Sequence, residues 1–77
     1  MPEKTLAELG DGEYAFVLHI RNPDAMARRL RDLGLVPGTA LRRLFGSARG
    51  DPAAYDIRGA VIALRNEDAG MVVVERD

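Results

Sequence analysis

The side chains best able to do chemistry in this 77-residue chain are arginines crowded into its middle. Arg28, Arg29, Arg31, Arg42, Arg43 and Arg49 are opposed by Asp32 alone across residues 25–49, a local balance of 6 − 1 = +5. Guanidinium groups at that density suit an acidic surface or phosphates rather than bond making. Residues 1–24 carry 2 − 5 = −3 and residues 50–77 carry 3 − 6 = −3, which leaves −1 overall. The basic middle is therefore either neutralised by the chain's own ends or left as one positive face. Self-neutralisation is the plainer expectation, because nucleic-acid-binding domains usually carry a net basic charge.

Other chemistry is thinly supplied. There is no cysteine, one histidine (His19) and one serine (Ser47), which excludes thiolate metal sites, disulfides, a histidine metal cluster and a Ser/His/Asp triad. The glycines around Gly34-Leu35-Val36-Pro37-Gly38 lack the lysine and hydroxyl of a phosphate loop. Asp51 and Asp56 are too few for a hard-ion cage, which needs about six oxygen ligands from a preorganised loop. Arg49-Gly50-Asp51 spells an integrin-recognition tripeptide, but Gly50 and the Asp51-Pro52 step read as turn chemistry. The expectation is a protein with no catalytic residues, no cofactor and no metal.

The elements that must position these groups are short. Thr5 and Glu8 frame a capping box around Leu6, ahead of a turn at Gly10-Asp11-Gly12. Residues 13–21 alternate as a strand, with Tyr14, Phe16, Leu18 and Ile20 on the more apolar side and Ala15, Val17 and His19 on the other. Both sides are apolar near the middle, which predicts cover on both faces. His19, on the less apolar side, reads as a surface residue rather than a ligand. Asn22-Pro23-Asp24 predicts a helix start with Asn22 as cap. Met26, Leu30 and Leu33 then form one stripe, with Arg28, Arg29 and Arg31 facing away. Gly34 closes the helix and Leu35 folds back on Leu30. Val36-Pro37-Gly38-Thr39 fits a type II turn. Strands are expected at 39–45, 53–58, 60–65 and 71–75, with a tight hairpin at Arg58-Gly59 and a single helical turn at 66–69.

These pieces predict a mainly β protein: one domain over residues 1–77, a five-stranded, partly open antiparallel barrel with one α-helix inserted after the first strand. A barrel this small is filled by its own side chains, leaving little room for a substrate. An apolar share of 47% with 30% charged residues fits a folded chain. No apolar run approaches the ~20 residues of a membrane span and no signal peptide opens the sequence, so a cytoplasmic location is expected. Four aromatics (Tyr14, Phe16, Phe45, Tyr55) argue against a stacking surface for single-stranded nucleic acid.

Arg29-Leu30-Arg31-Asp32-Leu33-Gly34-Leu35-Val36-Pro37-Gly38-Thr39 resembles the helix-and-turn signature of the FeoA family, small proteins of bacterial ferrous iron transport. Gly50-Asp51-Pro52, Arg58-Gly59, Ile62-Ala63-Leu64-Arg65, Asp68-Ala69, Val72 and Val74 continue the match in order. Leu6, Leu9, Gly12 and Val17 agree with the family's opening. Ser47, Ala48 and Arg49 depart from the apolar, proline-containing segment common there, and Arg43 replaces an aliphatic residue. The resemblance implies an SH3-like barrel without enzymatic activity. It also implies a partner, the membrane transporter FeoB with its cytosolic G-protein-like domain, which would recruit the protein to the inner face of the membrane. Arg28, Arg29, Arg31, Arg42, Arg43 and Arg49 are the expected partner-binding residues, and weak self-association is also expected. The competing readings are an SH3-like regulatory or adaptor module for another partner, as in iron-dependent repressors, a small RNA-binding barrel, and an arginine finger acting on a GTPase.

Overall fold

The computed structural model describes residues 3–76. Strand β1 (Lys4–Thr5) leads into a single 3-10 turn, Leu6–Glu8, and then β2 (Tyr14–Ile20). Helix α1 (Asp24–Asp32) follows, then β3 (Ala40–Gly46), β4 (Ala53–Ile57), β5 (Ala60–Leu64), the short α2 (Asn66–Ala69) and β6 (Val72–Arg76). All strand pairs are antiparallel, in the order β1-β6-β2-β3-β4-β5. The sheet has six strands rather than the expected five, because Lys4 and Thr5 pair with Val74 and Val73. Two residues are too short to show a period, so β1 is invisible to pattern reading. The sheet curls round one core and stays open between β1 and β5.

Tyr55 is the largest of the fully buried side chains, and its hydroxyl donates to the Leu6 carbonyl at 3.3 Å. Around it pack Leu6, Val17, Leu30, Leu35, Ile57, Val72 and Val74, with Leu41 and Leu64 beside them. α1 reaches this cluster through Leu30, with the half-buried Met26 and Leu33 packed against it. The helix closes as expected. The Leu35 amide donates to the Leu30 carbonyl at 3.0 Å and Gly34 to Arg31 at 2.9 Å, with Gly34 at φ +106. That is the bonding of a Schellman stop, in which the left-handed residue lets the chain turn back over its own last carbonyls. The next turn closes with Thr39 donating to Val36 at 3.0 Å.

Three local expectations change. Asn22 does not cap α1. Its amide donates instead to the Asp68 carbonyl at 3.0 Å, tying the start of α1 to α2 across 46 residues of sequence. On β2 only the face of the smaller side chains is covered. Ala15 and Val17 point into the core, while Tyr14 and Phe16 are exposed. A β-bulge explains the end of the strand: Val17 pairs with Val74 and His19 with Val73, so Leu18 is an extra residue. The bulge shifts the phase, and Ile20 rather than His19 packs against the core. Finally, cover on both faces belongs to β6, where Val72, Val73 and Val74 are all buried. On β2 the outer face is bare at Tyr14 and Phe16.

Leu30 is fully buried, so Leu30→Ala should cost about 2–5 kcal/mol in denaturant unfolding. Gly34→Ala places a Cβ at φ +106, 2.9 Å from Arg58 Cδ, and should cost about 1–3 kcal/mol. An unchanged midpoint for either variant would contradict the packing described.

Candidate docking face

The six arginines do not converge. Arg28, Arg29 and Arg31 lie exposed on α1, and Arg49 sits exposed in the loop between β3 and β4. Arg43 and Arg42 are adjacent on β3 and therefore face opposite sides of the sheet. Arg43 takes the core side, across from Tyr55, and its side chain is only 12% exposed. Its Nε donates to Asp11 Oδ1 at 2.8 Å, and that hydrogen bond holds the guanidinium above its ordinary pKa. A Cβ at Gly46 would stand 2.8 Å from an Arg43 nitrogen, so the missing side chain there gives the guanidinium room. An arginine paired with an acid thus packs on the core side of β3.

Among the described residues three ion pairs fall within 4.0 Å: Arg43–Asp11 and Arg76–Glu13 at 2.8 Å, and Arg21–Glu3 at 4.0 Å. Only Arg43 joins the basic middle to an acidic end. Self-neutralisation on folding is therefore slight, and Arg28, Arg29, Arg31, Arg42 and Arg49 have no ion-pair partner among the described residues.

Arg42 stands on the outer face of the sheet. Its guanidinium lies over the Tyr14 ring, 5.5 Å from the centroid, and its Nε is buried without a hydrogen-bond partner. Register builds the surroundings. One row across the sheet runs Tyr14, Arg42, Asp56, Val61, and a second runs Glu75, Phe16, Ala40. Tyr14 is 53% exposed, Phe16 40% and Val61 66%. Tyr14, Ala40, Leu41, Arg42, Asp56 and Arg58 line a shallow concavity of about 130 Å³. Arg58 reaches it from the β4–β5 hairpin, where it holds φ +55 beside Gly59 at φ +88. A left-handed arginine costs of order 1 kcal/mol, and its stem lies against Gly34.

Sequence reading had selected Arg42 but missed Tyr14, Phe16, Val61 and Arg58. The signal is present in the two apolar sides of β2, but that pattern predicts cover on both faces, whereas one is bare. The acidic residues singled out earlier are both committed to backbone donors: Asp51 Oδ1 accepts from the Asn66 amide at 2.9 Å and Asp56 Oδ1 from Gly59 at 3.0 Å. No group of three or more metal-ligating side chains occurs among the described residues. No helix among them is long and apolar enough to cross a membrane.

Glu13 anchors the rim next to Tyr14. Its Oε1 accepts from the Gly10 amide at 2.6 Å and its Oε2 from Arg76 at 2.8 Å. The Gly10 bond, helped by Arg76, holds its carboxyl below the ordinary value of 4.5. A depressed carboxyl stabilises the fold above its unfolded pKa and loses that contribution as pH falls through the folded value.

Known proteins share this fold. The FeoA domain family matches residues 4–76. The FeoA protein of Chlorobium tepidum is 35% identical, aligns over 94% of this chain and 69% of its own, and superposes with a TM-score of 0.90. The FeoA of Stenotrophomonas maltophilia, crystallised with zinc and described as a procaryotic SH3 domain protein, is 37% identical over 92% of this chain and 88% of its own, with a TM-score of 0.83. A manganese-dependent transcriptional repressor shares the fold alone, at 22% identity over all of this chain and 38% of its own, with a TM-score of 0.88. Comparison with curated proteins yields no match.

The pH dependence supplies a check. The stability difference between the native chain and Glu13→Gln should be constant near neutrality and shrink as pH falls below the usual carboxylate range. A difference that does not change with pH would show that the Glu13 charge contributes nothing.

Proposed function

The chain belongs to the FeoA family of ferrous iron transport, and from that premise we propose that it is a non-enzymatic accessory protein of ferrous iron uptake that works by being held. Its partner is the cytosolic, G-protein-like part of a FeoB transporter, which draws it from the cytoplasm to the inner face of the membrane. The observation that supports this reading is the outer sheet face. Tyr14 and Phe16 stand exposed there with Arg42 stacked on Tyr14. Aromatic and arginine side chains dominate binding energy at protein interfaces, the aromatics because they bury large areas while fixing only two torsions. The FeoA of Stenotrophomonas maltophilia has been suggested as an activating factor of bacterial ferrous iron transport, and the same role is proposed here.

The face suits protein better than nucleic acid. Asp56 and Glu75 lie within its two rows, where they would repel phosphates and accept hydrogen bonds from a partner's basic rim. The arginines of α1 are solvated and separate from this surface, which makes them steering charges rather than anchors.

Tyr14→Ala and Arg42→Glu should each weaken capture of the FeoB cytosolic domain by about tenfold or more. Arg28→Glu with Arg29→Glu should change it by less than about threefold and mainly through the association rate. If the helix pair abolishes binding while the sheet variants leave it intact, the docking face is on α1.

A further inference from the structure

The hairpin between β4 and β5 puts an arginine where its backbone favours asparagine. Ile57 and Ala60 close a two-residue loop in which Arg58 holds φ +55 and Gly59 φ +88. Such a turn needs positive φ at both central residues, and asparagine, aspartate or glycine fill the first place at least cost. What the arginine gains is position. The Asp56 carboxylate accepts from the Gly59 amide at 3.0 Å and fixes the turn. The Arg58 stem lies on Gly34, where a Cβ would stand 2.9 Å from Arg58 Cδ. From that support the side chain lines the concavity with Tyr14, Ala40, Leu41, Arg42 and Asp56.

Two guanidinium groups therefore share one hollow with a single carboxylate. Arg42 and Asp56 are partners across β3 and β4, yet no ion pair joins them within 4.0 Å. One Asp56 oxygen is engaged by the hairpin, and the Arg42 guanidinium lies over Tyr14. Stacking uses the face of a guanidinium and leaves the donors in its plane. Arg58 has no ion-pair partner among the described residues either. The hollow holds two positive charges against one negative, so one further negative charge would balance it. At about 130 Å³ it has room for the end of one side chain. Phe16 and Val61 stand exposed on the same side of the sheet and give it apolar surroundings.

We propose that this concavity is a carboxylate site, entered by one glutamate or aspartate side chain of a partner protein that sits between Arg42 and Arg58. The proposal rests on the reading of this face as the docking surface and names the group that the face recognises. One carboxylate makes the set neutral. A phosphate carries more charge than the set can balance and would face Asp56. A free anion would also leave Tyr14, Phe16 and Val61 bare, whereas a partner protein brings apolar contacts around its acidic group. Those contacts exclude water, and a charge-assisted hydrogen bond gains strength when water is excluded. The strained turn is then retained because it aims a binding group, as strained residues at ligand clamps do.

The test titrates the full nitrogen-15-labelled chain with two short end-capped peptides, one with a single glutamate between leucines and one with glutamine in its place. Inorganic phosphate is a third arm. The glutamate peptide should move the Nε–H signals of Arg42 and Arg58 and the amides of Ala40, Leu41 and Gly59, and leave Arg29 and Arg31 unmoved. The glutamine peptide should bind about tenfold more weakly. Arg58→Asn removes the guanidinium and suits the turn, so the unfolding midpoint should not fall while glutamate binding drops about tenfold. A lower midpoint with unchanged binding would make Arg58 a strut of the fold and sink the proposal. Capture of the FeoB cytosolic domain that falls with Tyr14→Ala but not with Arg58→Asn would remove the carboxylate site and leave the docking face standing. A glutamate response without capture of that domain would keep the site and remove FeoB as its partner. Equal response to the two peptides (none included), a phosphate response as strong as that to glutamate, or the same shifts on raising protein concentration alone would each overturn the proposal, the last in favour of a second copy. The peptide comparison uses the native chain, so it decides the matter even if the variant does not fold.

Discussion

The burial of Tyr55 is the constraint on which the rest of the molecule depends. A phenol ring at the centre of so small a sheet takes the volume that several aliphatic side chains would otherwise fill, and its hydroxyl needs a partner once water is excluded. The Leu6 carbonyl supplies that partner, which pins the turn after β1 against the core. Burial also pushes the Tyr55 phenol above its ordinary pKa, against the opposing charge of Arg43, so the ring stays neutral and the donor is kept. With Tyr55 inside, the facing positions of β2 must be small. Ala15 and Val17 fill them, and strand alternation then leaves Tyr14 and Phe16 no place but outside. The exposed aromatic face is thus a consequence of how the interior is packed.

That dependence explains what pattern reading recovers and what it does not. The helix from Asp24, its stop at Gly34, the turn at Val36-Pro37-Gly38-Thr39 and the hairpin at Arg58-Gly59 follow from neighbours within a few residues, and each was legible. So was the mainly antiparallel, partly open sheet. The face of β2 was not, because choosing between Tyr14/Phe16 and Ala15/Val17 requires knowing the volume that Tyr55 occupies from another strand. The bulge at Leu18 hid the answer further by splitting the alternation into two phases. Asn22 misled for a similar reason: a local cap and a contact with Asp68 compete for one amide, and only the fold decides.

Charge tells a related story about distance. Counted along the chain, the acidic ends balance the basic middle, yet in space only Arg43 finds an acid from an end block. Arg43 succeeds because it is the one arginine of the middle turned towards the core side, where desolvation makes an unpaired charge costly. The rest lie in water, where an exposed pair is worth at most about 1 kcal/mol and little is lost by leaving it unmade. Folding had no strong reason to neutralise them. Arg42 differs from these, since its guanidinium stacks on Tyr14 with a buried Nε left unbonded, a loss that a partner's oxygen would recover.

The two ends of the sheet are managed by different means. At one end β1 is only two residues long, and the 3-10 turn follows it at once, held by the Glu8 carboxylate on the Thr5 amide at 2.7 Å. An edge that short offers almost no ladder to a stranger. Across the opening, α2 is tied down by Asn22 on the Asp68 carbonyl and by Asp51 on the Asn66 amide, so the gap is plugged by hydrogen-bonded backbone rather than closed by strand pairing. These ties reach only as far as the end of β5. The strand itself has an uncharged edge between two arginines, the reverse of the usual protection, in which charge lies on the strand and the flanks are free.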